Sequence, residues 1–99
     1  KIELLERLLA PIAYLPYVKE VRQRGFMVGI EIDGFDPALR MGHRIALDAR
    51  SRGAIIRPLG DVIVLMPPLA IEGSELQRLV SITRQSIEAA TADSLPLAA

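Results

Sequence analysis

The chain at positions 55–69 reads Ile55-Ile56-Arg57-Pro58-Leu59-Gly60-Asp61-Val62-Ile63-Val64-Leu65-Met66-Pro67-Pro68-Leu69, with one arginine between two apolar runs. The isoleucine pair is typical of the end of a strand, and Pro58-Leu59-Gly60-Asp61 has the composition of a turn. A second strand is predicted over residues 62–66. It must stop at Pro67-Pro68, because proline has no N–H to donate to a β-ladder. We therefore expect Arg57 at a strand end, from where its guanidinium can reach a cleft.

Arg57 has two interpretations from the residues alone. Its planar guanidinium can hold a carboxylate or phosphate through two parallel hydrogen bonds, which would make it a ligand-binding residue. It can also be a structural arginine that pairs with Asp61 or with another carboxylate of the chain. The sequence pattern leaves both roles open.

The residues before this stretch predict a short helix and then a β-hairpin. Apolar residues recur at helical spacing over residues 2–9, until Pro11 and Pro16 interrupt the pattern. Residues 26–32 are rich in strand formers, and the charged segment before them ends at Arg24-Gly25. We predict the hairpin turn at this glycine.

A second helix is predicted over residues 37–52. Asp36 has the chemistry of its N-terminal cap, proline fits its first turn, and Gly53 supplies a left-handed C-terminal stop. Leu47 falls on the outward side, where we expect either solvent or a missing partner. The predicted buried face contains residues spaced three or four apart, namely Ala38, Met41, Gly42, Ile45 and Ala49.

The segment Ser74-Glu75-Leu76-Gln77 has the pattern of a capping box and predicts the start of a last helix. The chain beyond Thr91 should fray, which gives one domain over residues 1–90 and a tail over residues 91–99. The predicted buried stripe of the helix consists of Leu76, Leu79, Val80, Thr83, Ile87 and Ala90.

The order helix, hairpin, helix, two strands, helix favours an α+β fold. We predict a small, mostly antiparallel sheet of three to four strands with helices on one face, so that the other face would meet another domain. The chain opens at Lys1 within a helical pattern and without an initiator methionine. From this we expect it to be cut from a longer protein.

Composition argues against several classes of function. Twelve Lys+Arg residues balance twelve Asp+Glu residues, so the chain has no basic field for nucleic acid or anionic lipid. The absence of cysteine excludes disulfides, thiolate zinc sites and thiol nucleophiles, and it favours a cytoplasmic protein. The longest uncharged apolar run, residues 62–71, is too short for a membrane helix, and no signal peptide is expected.

No group of residues makes a credible catalytic centre. The glycines do not form a phosphate-binding loop, and Lys1 and Lys19 lack the apolar surroundings of imine-forming lysines. His43 is expected on a solvated helix flank, and a single histidine cannot build a multi-histidine metal site. Glu31 and Arg22 fit the polar face of a half-exposed strand. The residues therefore predict a chain that helps to bind an anion and does not perform a reaction.

Three motifs together resemble a known family. They are Val21-Arg22 with Gly25-Phe26-Met27-Val28-Gly29-Ile30-Glu31, Arg52-Gly53 leading into Ile56-Arg57-Pro58-Leu59-Gly60, and Leu65-Met66-Pro67-Pro68-Leu69. Over almost its whole length the chain resembles the C-terminal small domain of class III pyridoxal-phosphate aminotransferases, which are fold-type I enzymes. Within the class it is most similar to the members of biotin biosynthesis that convert 8-amino-7-oxononanoate to 7,8-diaminononanoate.

The resemblance implies that Arg57 holds the carboxylate of 8-amino-7-oxononanoate, while Pro58, Leu59 and Gly60 shape the pocket and Met66-Pro67-Pro68 forms a wall near it. It implies that pyridoxal 5'-phosphate and its imine-forming lysine belong mainly to a large domain outside this chain, which would then be inactive alone. It also implies S-adenosylmethionine or lysine as amino donor and a homodimeric full-length enzyme. The charge balance and the short apolar runs described above predict neither nucleic acid nor membrane as partner.

Three alternatives remain. The chain can belong to another class III ω-aminotransferase, although the Arg57-Pro58-Leu59-Gly60 run argues against it. It can also be a stand-alone regulatory domain that binds an amino acid through Arg57. The third alternative is a purely structural interaction module, for which Arg57 would have no effect on substrate affinity.

Overall fold

A computed structural model describes residues 1–97 of the 99-residue chain. The helices are α1 (Ile2–Leu9), α2 (Met41–Ser51) and α3 (Gly73–Ala92), and the strands are β1 (Val18–Arg24), β2 (Met27–Ile32), β3 (Arg57–Leu59) and β4 (Val62–Leu65). Short 3-10 turns lie at Ile12–Tyr14 and Pro37–Leu39. Within residues 1–97, no helix has the combination of length and apolarity that crossing a membrane requires.

The four strands form one antiparallel sheet in the order β1-β2-β4-β3. Two hairpins, β1–β2 and β3–β4, therefore meet at the centre of the sheet through β2 and β4. This confirms the predicted α+β fold with an antiparallel sheet of three to four strands. The first hairpin turns at Gly25, as predicted, and its φ of 58° lies in the left-handed region that glycine adopts at little cost.

The helices pack on one face of the sheet. Side chains alternate along the central strands, so that Val28, Ile30, Ile63 and Leu65 are buried while the residues between them point to the opposite face. Full burial of each such side chain contributes about 1.5–3 kcal/mol to the free energy of unfolding. The buried strand residues share one core with helix residues that include Leu5, Leu9, Met41, Ile45, Leu76 and Ile87.

The β3–β4 hairpin has a tighter turn than the sequence predicted. Pro58 and Leu59 belong to β3, and the turn consists of Gly60 and Asp61 alone. Pro58 is tolerated because β3 is an edge strand. Its outer side faces no other described strand, so the missing N–H of proline removes no ladder hydrogen bond there. Gly60, with φ of 60°, allows the two-residue turn. The prediction of a four-residue turn was therefore wrong by two residues.

The predicted helix over residues 37–52 is divided by Arg40. A 3-10 turn covers Pro37–Leu39, Arg40 adopts a left-handed conformation with φ of 51°, and α2 starts after it. The Asp36 side chain accepts a hydrogen bond from the Ala38 N–H at 2.9 Å, which confirms the predicted cap. Because the chain changes direction at Arg40, Ala38 is exposed and not buried as predicted, and Leu39 packs against the core in its place.

The N-terminal cap of α3 also differs from the prediction. The capping box joins Glu72 and Glu75, and Ser74 lies inside the first turn. The Glu75 side chain accepts from the Glu72 N–H at 3.3 Å, and the Glu72 side chain accepts from the N–H of Glu75 in return. Glutamate can take the capping role because its carboxylate also interacts favourably with the helix dipole. The stripe predicted for α3 faces the core, together with Ile82 and Ser86, which the sequence did not single out.

This cap can be tested by substitution. We expect Glu72→Ala to destabilise the first turn of α3 by about 0.5–1 kcal/mol, because it removes the acceptor for a free helix N–H. Ser74→Ala should change the free energy of opening of this turn by less than about 0.5 kcal/mol. Hydrogen exchange of the α3 amides in the intact protein measures both values. A larger loss for Ser74→Ala than for Glu72→Ala would restore the capping box predicted from the sequence.

The last described residues include the end of α3 and one long-range hydrogen bond. Helix α3 continues to Ala92, and the Leu97 N–H donates a hydrogen bond to the Gly34 carbonyl oxygen at 2.7 Å. Residues 98 and 99 of the predicted frayed tail lie outside the described residues. The division into a domain and a tail stays a prediction.

Candidate functional site

The sheet face opposite the helices carries the candidate site, and we call it the open face. Strand pairing aligns Arg22, Gly29, Val64 and Arg57 as successive cross-strand partners on this face. Neighbouring strands lie about 4.8 Å apart, so the backbones of the two arginines are separated by about 14 Å. A Cβ added at Gly29 would meet nothing closer than Val62 Cγ1 at 3.6 Å. The middle of the row therefore consists of a residue without a side chain, Gly29, beside the apolar Val64.

Arg57 is exposed at the first residue of β3, directly opposite Val64. The prediction that it follows a strand ending at Ile55-Ile56 was wrong, because these two residues precede β3 and pairing with β4 begins only at Arg57. Its guanidinium makes no ion pair with a carboxylate of residues 1–97. The predicted structural pair with Asp61 is therefore not formed. Asp61 instead accepts a long hydrogen bond of 3.5 Å from the Gly42 N–H at the start of α2. Arg57 is thus available for an anion that approaches the open face.

Charges on the other half of the open face neutralise one another. The Glu31 carboxylate lies 3.7 Å from Lys19 Nζ and 3.6 Å from Arg22 Nη2, and Glu20 lies 3.5 Å from Arg22 Nε. Such exposed pairs contribute little stability, but they occupy the Arg22 guanidinium. Glu31 and Arg22 therefore lie on the polar face of the strand, as predicted. Arg24, at the end of β1, is a further open-face cation without an ion pair among the described residues.

The four residues predicted for the site do not all face the same way. Arg57 and Leu59 lie on the open face, where Leu59 is 63% exposed. Pro58 is half-buried and pairs with Ile63, which belongs to the core side. Gly60 is exposed in the turn and contacts α2. Successive side chains of a strand point to opposite faces of the sheet, so Pro58 faces the core side while Arg57 and Leu59 lie on the open face.

Met66, Pro67 and Pro68 do not border Arg57 directly. They line a cleft of about 370 Å³ at one end of the sheet, together with Ile55, Glu75 and Arg78. Arg57 is not among the residues that line this cleft. The predicted wall therefore belongs to a neighbouring concavity, because β4 ends at Leu65 and the chain then turns away from β3 towards α3.

His43 lies on α2 beside the β3–β4 turn and is half-buried, not fully solvated as predicted. With Arg40, Pro58, Gly60 and Asp61 it borders a small cleft of about 200 Å³. No group of three or more His, Cys, Asp or Glu side chains within residues 1–97 is arranged to hold a metal ion. In the described part of the chain, the geometry supports anion binding on the open face.

The aminotransferase class-III family model matches residues 1–87. The chain belongs to the class III aminotransferases. It is 49% identical over 98 residues to the adenosylmethionine-8-amino-7-oxononanoate aminotransferase of Nitratidesulfovibrio vulgaris. The alignment covers 92% of this chain and 18% of that relative. The chain therefore spans about a fifth of the length of the relative.

Solved structures of class III aminotransferases share the fold. The crystal structure of adenosylmethionine-8-amino-7-oxononanoate aminotransferase from Methanocaldococcus jannaschii superimposes with a TM-score of 0.84 at 34% identity, over 89% of this chain and 22% of that one. A PMP-bound aminotransferase from Vibrio fluvialis superimposes with a TM-score of 0.88 at 28% identity, over 92% of this chain and 22% of that one. These likenesses confirm the predicted family and its α+β domain.

The lysines of this class III aminotransferase segment do not fit the site of a pyridoxal cofactor. An imine-forming lysine must lose its proton, which requires a desolvated or cationic environment. Lys19 is 60% exposed and pairs with Glu31, and Lys1 is exposed at the first residue before α1. Neither lysine among the described residues therefore lies in surroundings suited to an imine with the cofactor.

Proposed function

We propose that this chain is the substrate-binding small domain of an aminotransferase that converts 8-amino-7-oxononanoate to 7,8-diaminononanoate in biotin biosynthesis. The main support for the proposal is the position and the unpaired charge of Arg57 in the described part of the chain. It lies within the Arg57-Pro58-Leu59-Gly60 run, it is exposed on the open face, and it has no ion-pair partner among residues 1–97. The relatives named for this reaction support the choice of substrate.

The role of Arg57 follows from the chemistry of the substrate. A chain of methylene groups separates its carboxylate from the keto carbon that receives the amino group. A bidentate guanidinium at one end fixes both the position and the direction of such a chain. Val64 and Leu59 provide apolar contacts beside Arg57 on the open face. Together these residues would bind the substrate by its carboxylate end and orient the remainder.

Pyridoxal 5'-phosphate, when bound, would supply the electron sink for amino transfer. Because the lysines of this chain do not fit its site, we infer that the cofactor is held mainly by a large domain outside these residues. The segment alone would then be inactive. A homodimeric, cytoplasmic enzyme with S-adenosylmethionine or lysine as amino donor completes the proposal.

Another class III ω-aminotransferase is the second candidate. The fold of the Vibrio fluvialis aminotransferase matches this chain as well as that of the Methanocaldococcus jannaschii enzyme, so fold alone does not separate the two functions. The distance between the substrate carboxylate and the reacting carbon separates them, because the first candidate must bind a long monocarboxylate through Arg57 and the second acts on shorter ω-amino acids. A stand-alone amino-acid-binding domain, the third candidate, would require binding without any large domain.

The full-length protein that contains this chain provides the test. Purified with pyridoxal 5'-phosphate, it should convert 8-amino-7-oxononanoate to 7,8-diaminononanoate with either S-adenosylmethionine or lysine, as followed by mass spectrometry of the product. Short ω-amino acids with 2-oxoglutarate serve as the comparison substrates. Turnover of the comparison substrates without turnover of 8-amino-7-oxononanoate would contradict the proposal and favour the second candidate.

A further inference from the structure

The start of α2 lies unusually close to the turn of the β3–β4 hairpin. Gly42, the second residue of α2, is buried there. A Cβ added to it would overlap the Gly60 carbonyl oxygen, and it would lie 3.3 Å from the Gly60 carbonyl carbon and 3.4 Å from Asp61 Cα. Its neighbours at this point are backbone atoms, which cannot rotate away as a flexible side chain can. The helix and the turn can approach this closely only because residue 42 has no side chain.

Two hydrogen bonds hold the same turn in place. The Gly42 N–H donates to Asp61 Oδ1 at 3.5 Å, and the Ile32 N–H donates to the Asp61 carbonyl oxygen at 2.8 Å. The turn is thereby tied to the beginning of α2 and to the end of β2. The first bond is long and therefore weak, so the close packing at Gly42 is the stronger determinant of position.

The position of this turn determines the position of Arg57. Strand β3 has only three residues and lies at the edge of the sheet, so β4 is its single strand neighbour within residues 1–97. The turn follows Leu59 directly, and a displacement of Gly60 is transmitted along the short strand to Arg57. A site for bidentate binding loses much of its strength when its guanidinium is displaced by about 1 Å.

We propose that Gly42 is a positioning residue: its close contact with Gly60 sets the location of the β3–β4 hairpin and so holds Arg57 at the place where it binds the substrate carboxylate. This inference rests on the proposed role of Arg57. Gly42 itself touches no substrate. Its importance lies in the missing Cβ, since glycine is otherwise unfavourable inside a helix by about 1 kcal/mol relative to alanine.

Gly42→Ala in the full-length enzyme tests the inference. Alanine favours the helix, but its Cβ must push the turn outward, and Arg57 moves with it. We compare kcat/KM for 8-amino-7-oxononanoate with kcat/KM for its methyl ester, which has no carboxylate to pair with Arg57. Gly42→Ala should lower the preference for the acid by about three- to tenfold, while kcat/KM for the ester stays within about twofold of the wild-type value.

Gly73→Ala is the matched control for Gly42→Ala. Gly73 also lies at the start of a helix, and a Cβ there would meet only Leu4 Cδ2, at an ordinary 3.5 Å. This control should keep the wild-type preference for the acid. If Gly42→Ala also keeps it while Arg57→Ala loses it, the inference about Gly42 is wrong and the proposed function stands. If Arg57→Ala keeps the preference, Arg57 does not bind the substrate carboxylate, and the inference about Gly42 is wrong as well; turnover of 8-amino-7-oxononanoate by the wild-type protein tests the proposed function separately.

A second pair of variants covers the case in which Gly42→Ala does not fold. Asp61→Ala removes the acceptor for the Gly42 N–H without adding bulk, whereas Asp61→Asn keeps an acceptor oxygen and removes the same charge. Asp61→Ala should lower the preference for the acid by about two- to threefold, consistent with one weak hydrogen bond, and Asp61→Asn should restore it. Equal kinetics for the two variants would count against the contact between α2 and the turn as a positioning device.

Discussion

Replacing Arg57 with alanine should lower kcat/KM for 8-amino-7-oxononanoate at least tenfold, which corresponds to about 1.4 kcal/mol or more of transition-state binding. A charge-assisted bidentate pair accounts for this size of effect, since each hydrogen bond to a charged group contributes about 1.5–3 kcal/mol. Arg57→Lys should recover only part of the loss, because an ammonium group keeps the charge but not the planar fork. Steady-state kinetics of the full-length enzyme with the acid and with its methyl ester measure the effect.

The methyl ester and a second arginine provide the controls for Arg57. Turnover of the ester should be nearly the same in the wild-type enzyme and in Arg57→Ala, because the ester carries no charge for the guanidinium. Arg84→Ala should leave both substrates unaffected, since Arg84 lies on the solvent side of α3 and pairs with Glu88 at 3.3 Å. An Arg57→Ala enzyme with unchanged kcat/KM for the acid would support a purely structural interaction module, the alternative that assigns Arg57 no ligand.

Truncation of Ile63 to alanine should be among the most destabilising single changes in the sheet. Ile63 is fully buried in β4, where it pairs with Ile30 on one side and Pro58 on the other. Removal of its outer methyl and methylene groups leaves a cavity between sheet and helices, which costs about 2–5 kcal/mol. Native-state hydrogen exchange of the β2 and β4 amides measures the free energy of opening in the intact protein.

Ile55 provides a like-for-like comparison with Ile63. It is 81% exposed in residues 1–97, so Ile55→Ala should change the opening free energy by less than about 0.5 kcal/mol if nothing covers it. A loss as large as that for Ile63→Ala would mean that a further part of the full-length enzyme packs on Ile55. Such a result would also identify the cleft lined by Ile55, Met66 and Arg78 as buried in the complete protein.

The sequence predicted the order and type of the elements because each is punctuated by residues with strong local preferences. Gly25 and Gly53 both adopt positive φ at the ends of their elements, as their positions in the pattern indicated. Asp36 caps the turn that follows it through its own side chain. Leu76, Val80 and Ile87 face the core because helical spacing places them on one side of α3.

Local patterns failed where two interactions compete for the same residues. Pro58 and Leu59 have turn composition, yet strand pairing with β4 and the short turn at Gly60 place them in β3. Ser74 and Gln77 fit a capping box, but Glu72 takes the cap because the helix starts earlier. Ala38 fits the helical stripe of α2, but the left-handed Arg40 separates it from α2, which begins at the next residue. In each case, long-range packing chose among locally acceptable conformations.

The sequence by itself determined the α+β class, the family and the choice of Arg57 as the anion-binding candidate, because periodicity, turn glycines and the Arg57-Pro58-Leu59-Gly60 run are local properties. Tertiary structure decided that Arg57 and Asp61 do not pair, that Arg57 shares a row with Gly29 and Val64, and that Gly42 contacts the turn at Gly60. These facts depend on strand register and on the approach of a helix to a hairpin. Both are set by packing between residues far apart in the chain, which no local pattern encodes.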